Sequence, residues 1–77
     1  MVKQVRIRVS KEDSATVYFL VESYEGIATV STLPHQPGDR HRDLQFWVPD
    51  AQRQEFDRLM ARLHDELPDG MKEIEES

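Results

Sequence analysis

Cysteine is absent from these 77 residues, which excludes disulfides, thiolate nucleophiles and cysteine-ligated zinc. No apolar run approaches the roughly 20 residues of a membrane-spanning helix, so the chain is not expected to cross a membrane. The opening Met1-Val2-Lys3-Gln4-Val5-Arg6 alternates instead of placing an apolar block behind a basic start, and a cytoplasmic location is expected. Internal repeats and low-complexity tracts are missing. So is any excess of positive charge: the net charge is −5, where a general nucleic-acid binder carries the opposite sign. The imbalance is local. Residues 65–77 hold Asp65, Glu66, Asp69, Glu73, Glu75 and Glu76 against Lys72, and the body before them is neutral.

What is present fits one small domain. With 38% hydrophobic and 32% charged residues the composition is globular. A chain of this size buries only about 60% of its unfolded surface. Its core is small, and self-association, most simply as a dimer, adds to it.

Hydrophobic spacing orders the elements. Val5, Ile7 and Val9 alternate with Gln4, Arg6 and Arg8, a half-buried strand. Ser10 can cap the helix that follows, with Glu12 and Asp13 at the positive end of its dipole. Thr16 to Val21 has the β-branched and aromatic composition of a strand. Periodicity decides otherwise: Val17, Leu20, Val21 and Tyr24 make one helical stripe, and Gly26 can supply a left-handed stop. A helix is predicted over 11–25 and a strand over 27–33, the latter with no clear inward face. The breaker-rich segment Pro34 to Arg42 separates it from a strand over 43–48, with Leu44, Phe46 and Val48 inward and Gln45 and Trp47 outward. The short connection makes the pair an antiparallel hairpin. Pro49-Asp50 opens a second helix whose Phe56, Leu59, Met60, Leu63 and Leu67 recur at helical spacing until Pro68 and Gly70 end it. The folded domain is read as 1–68, and 69–77 as an acidic tail or a short final strand, Met71 to Ile74.

This is an α+β, ferredoxin-like plan, βαββα(β), with two helices on one face of an antiparallel sheet. Ile7-Arg8-Val9, the helix end and strand V-E-S-Y-E-G-I-A-T-V-S-T-L, and Val48-Pro49-Asp50 together resemble a small bacterial family of uncharacterised proteins with an ACT-like, ferredoxin-like fold. The resemblance covers roughly residues 3–67. It implies pairing through sheets or helices and binding of small effectors in a regulatory role. The amino-acid-binding pattern of such domains, an acidic residue before a proline-glycine step after the first strand, is replaced here by Ser10-Lys11-Glu12-Asp13-Ser14.

Three surfaces are candidates for function. His35, Arg40, His41 and Arg42, gathered around Gly38, can bind a small phosphate or carboxylate, or simply form a solvated hairpin loop. His35 and His41 with Asp39 lack a recognised ligand spacing, and no metal site is read. Trp47, on the open face of a central strand beside Arg6 and Arg8, reads as buried against a second copy of the sheet; the alternative is a platform on which single-stranded RNA bases stack. On the first helix Phe19 lies opposite the core stripe and with Ala15 makes a small patch for a partner helix. The charged face of the second helix, Arg53, Asp57, Arg62 and Glu66, reads as solvated. No nucleophile with a positioned base assembles from Ser10, Ser14, Ser23, Ser31 and the three histidines, and no cofactor motif occurs, so the chain is expected not to be an enzyme.

Overall fold

The computed structural model describes residues 2–24 and 26–76. The elements are β1 (Val2–Ser10), α1 (Ser14–Ser23), β2 (Thr29–Thr32), β3 (His41–Pro49), α2 (Arg53–Glu66) and β4 (Met71–Glu76), with one 3₁₀ turn, Asp50–Gln52, leading into α2. The strands form one sheet in the order β2-β3-β1-β4, and every neighbouring pair is antiparallel. The architecture is α+β and compatible with a ferredoxin-like class. No helix among the described residues is long and apolar enough to cross a membrane.

Alternation along β1 and β3 builds the core as expected. Val5, Ile7 and Val9 are buried opposite Phe46, Leu44 and Arg42. Both helices cover this face: Val17, Leu20 and Val21 of α1 and Phe56, Leu59 and Leu63 of α2 join the same cluster. Phe46 and Phe56 meet edge to face, with ring centroids 5.3 Å apart at 65°, an arrangement that aromatic quadrupoles favour. Tyr24 packs against the cluster, so the periodic stripe outweighs the strand-like composition of Thr16 to Val21.

Several boundaries move for long-range reasons. α1 begins at Ser14, not at residue 11. Residues 11–13 form a turn in which the Asp13 N–H donates to both the Ser10 carbonyl and the Ser10 hydroxyl at 3.1 Å. Ser10 thus caps a turn instead of the helix, and no acid lies in the first helical turn. Asp13 is buried and accepts from the Asp69 N–H at 3.3 Å, which ties it to the far end of the chain. The expected last helical residue, Glu25, lies outside the described residues. The helix gives way at Tyr24, and the Ile27 N–H reaches the Tyr24 carbonyl at 3.2 Å beside Gly26, whose φ is +73°.

β2 is shorter than expected, Thr29–Thr32, because Ile27 is drawn into the core before the ladder begins. Val30 stands opposite Phe46, which settles the inward face. β3 is longer than expected: its first residues, His41 and Arg42, pair with Ser10 and Val9 of β1 and so leave the hairpin loop. Residues 69–76 join the fold. β4 lies beside β1, with Met71 opposite Val9 and packed on the core, and the register shifts between Arg6 and Ile7.

Replacing Phe46 with alanine is expected to cost about 3–5 kcal/mol, measured from urea unfolding midpoints. A domain of this size has about 4–12 kcal/mol to lose, so the variant should give up at least about a quarter of its stability. A loss under about 1 kcal/mol would show that the Phe46 ring is not central to the packing.

Candidate functional site

The pleat sends Gln4, Arg6, Arg8 and Ser10 of β1 away from the helices, and their partners Trp47, Gln45, Asp43 and His41 of β3 with them. Lys72 of β4 stands opposite Arg8 on the other side. At one end of this face lies an open cleft of about 390 Å³, lined by Arg8, Ser10, Arg40, His41, Lys72 and the turn Asp69–Met71 among others. Three chain segments converge there. β1 contributes Arg8 and Ser10. The loop end and start of β3 contribute Arg40 and His41, held in place because the Lys11 N–H donates to the Arg40 carbonyl at 2.9 Å. The turn into β4 contributes Asp69, Gly70, Met71 and Lys72.

Of the four residues expected in an anion site, the structure brings two together. Arg40 and His41 line the cleft. Arg42 does not, because strand alternation turns it to the helix face, where its Nη1 donates to the carbonyls of Asp39 (3.0 Å) and His41 (2.8 Å). His35 sits apart, exposed in the loop over residues 33–40. That loop is shaped locally: the Gln36 N–H donates to Asp39 Oδ2 at 2.9 Å, and the Asp39 N–H returns to the Gln36 carbonyl at 3.1 Å. Among the described residues no group of His, Asp and Glu side chains is arranged to hold a metal ion.

Lys72 is the cleft residue that sequence reasoning missed. It belongs to a segment that also reads as an acidic tail, and nothing local shows that it pairs beside Arg8. The one available signal was the turn chemistry of Pro68-Asp69-Gly70, which returns the chain toward the sheet. Among the described residues, no carboxylate forms an ion pair with Arg40 or Lys72. Arg8 differs: its Nε and Nη2 donate to the two oxygens of Asp43 at 2.8 and 3.0 Å, a bidentate pair. That hydrogen bonding holds the Asp43 carboxyl below its usual range and raises the Arg8 guanidinium.

The rest of the open face is less bare than the sequence implies. Gln45 points outward, yet it is 2% exposed. Arg6 Nε donates to its side-chain carbonyl, and its own amide donates to the Phe46 carbonyl at 3.3 Å. Trp47 is 37% exposed and stands opposite Gln4, with Arg6 at the next outward position and Arg8 one further. Phe19, 71% exposed, is on the outer side of α1, across the molecule from Trp47. Those two aromatics belong to separate surfaces.

The Arg8–Asp43 pair makes a pH-dependent contribution. Because the folded carboxyl titrates below its unfolded value, that contribution is complete above about pH 4 and fades as pH falls through the lowered folded value. Asp43→Asn is therefore expected to lower the urea midpoint at pH 7 and to approach wild type as the pH is taken below 4. A gap between the two proteins that stays constant down to pH 2 would refute the assignment.

Comparison with known protein families, with curated proteins and with solved structures finds no match to this chain.

Proposed function

We propose that this chain is a non-catalytic, ACT-like domain of the cytoplasm that binds a small anionic effector in the cleft and self-associates as a dimer in a regulatory role. One observation carries the reading: a cleft of about 390 Å³ in which Arg40, His41 and Lys72 converge beside Arg8. Its size falls within the range of small-ligand pockets, about 300–1,000 Å³. The donor set suits a phosphate or carboxylate. Arg40 offers a planar fork and Lys72 a compact charge, and the existing engagement of Arg8 with Asp43 makes it a wall more than a ligand. Asp69 at the rim disfavours a ligand that is anionic throughout and favours one with a hydroxyl or amino group beside its anionic end.

Dimerisation has separate support. Trp47 is a large ring left partly open on a sheet face, and a chain this short gains apolar burial from a second copy. The second reading, a single-stranded nucleic-acid platform of Trp47, Arg6 and Arg8, draws on the same ring. Against it, both arginines already bond to neighbours on β3. The acid-rich sequence also opposes a polyanion.

Phosphate and phosphorylated metabolites are expected to raise the melting temperature of the wild-type protein. Arg40→Ala and Lys72→Ala should each remove most of that rise, while His35→Ala should leave it intact. Equal shifts in all four proteins would sink the cleft as the binding site. For the sheet face, Trp47→Ala is expected to dissociate the dimer in sedimentation. If assembly survives and salt-sensitive binding of single-stranded RNA is lost instead, the nucleic-acid reading prevails.

A further inference from the structure

The proposed cleft has a divided construction. Arg8, Ser10 and His41 come from β1 and β3 and Arg40 from the loop residue just before β3, whereas Gly70, Met71 and Lys72 come from the turn and first residues of β4. The two groups are fastened very differently. β1 and β3 pair along nine consecutive residues, Val2 to Ser10 against Pro49 to His41, and their inward apolar side chains are buried. β4 is an edge strand with β1 as its one neighbour, and its ladder is interrupted by a register shift between Arg6 and Ile7. Three of its six residues are glutamate, a residue with little preference for strands. Its apolar anchorage is slight: Met71 is partly buried against the core, and Ile74 is half-buried. The turn into β4 is tied by the buried Asp13 carboxylate, which accepts the Asp69 N–H at 3.3 Å, and by the Gly70 N–H, which donates to the Leu67 carbonyl at 3.0 Å.

We propose that β4 opens and closes on the sheet as a unit, and that a small anion in the cleft closes it, because the anion bridges Lys72 on β4 to His41 at the start of β3 and Arg40 at the loop end before it. This rests on the anion-binding reading of the cleft and adds its regulatory consequence. Lys72 is brought to the site by pairing opposite Arg8, so detaching β4 removes Lys72 and the Gly70–Met71 wall together. A ligand that needs both walls binds the closed form only, and mass action then shifts the population toward it. The edge of the sheet becomes the readout of effector binding. Local opening of this kind draws on parts of a fold with few buried apolar contacts, and β4 is such a part.

Amide hydrogen exchange on the full chain, followed by NMR with inorganic phosphate as the probe, tests this directly. Without phosphate, the β4 amides bonded to β1 should exchange faster than those joining β1 to β3. At phosphate a hundredfold above its dissociation constant, β4 exchange should slow about 100-fold. Lys72→Ala should abolish the slowing, which separates bridging from the general stabilisation that phosphate gives to folded proteins. If Arg40 and His41 resonances shift while β4 exchange is unchanged, the cleft binds anions but the coupling is overturned. The coupling is overturned also if β4 exchanges no faster than the centre of the sheet when phosphate is absent. If phosphate moves no cleft resonance, the anion reading itself fails and the coupling falls with it.

Discussion

The burial of Val5, Ile7 and Val9 beneath the two helices fixes which way every other side chain of β1 points. A strand alternates strictly, so once three residues are committed to the core, Gln4, Arg6, Arg8 and Ser10 must face the other way. Both neighbours of β1 then take their orientation from it. Asp43 and His41 of β3 and Lys72 of β4 reach the open face because their partners Arg8 and Ser10 are there. A slip of one residue in either ladder would send Lys72 or His41 toward the helices. The apolar packing of one face therefore assembles the cationic cleft on the other, although of the three buried residues only Val9 lines it.

How much of this the sequence disclosed follows the range of the forces involved. Phe56, Leu59 and Leu63 repeat at helical spacing within one segment, and α2 forms where they predict. α1 is the harder case. There the stripe Val17, Leu20, Val21 outweighs β-branched composition, because burying one apolar face contributes more than the small propensity differences among those residues. What was not legible depends on partners far along the chain. Asp13, the N-cap of α1, is buried against Asp69, 56 residues away. His41 and Arg42 become strand because Ser10 and Val9 need partners. Glu73 pairs with Ile7 and Glu75 with Arg6, so Ile74 falls at the register break as the extra residue, a placement that no local alternation announces. The cleft inherits this difficulty: Arg40 and His41 were visible as a local cluster, while Lys72 enters through a pairing that no local pattern announces.

Charge is arranged against the average. The chain carries a net −5, yet the cleft collects arginine, lysine and histidine at one end of the open face. An acidic surround around a basic cleft weakens long-range attraction for polyanions while leaving short-range contacts to a small anion intact, since screening removes distant charges first. Size selectivity of this sort needs no steric gate. It also explains why the open face, with its single tryptophan and its arginines bonded to Gln45 and Asp43, is a poor electrostatic match for a nucleic-acid strand.

The composition of β4 has a consequence for crowded solutions. An outermost strand offers a row of unpaired backbone groups to any chain that arrives in register, and a parallel, in-register partner of the same sequence would set glutamate against glutamate. Parallel growth of the sheet across that border is penalised in every copy. The opposite border, β2, is only four residues long and gives an incoming strand little to hold. Concentrated samples should therefore resist stacking edge to edge into parallel, in-register fibrils, so the protein can keep a partly open tryptophan on its sheet face without the sheet itself becoming a template for them.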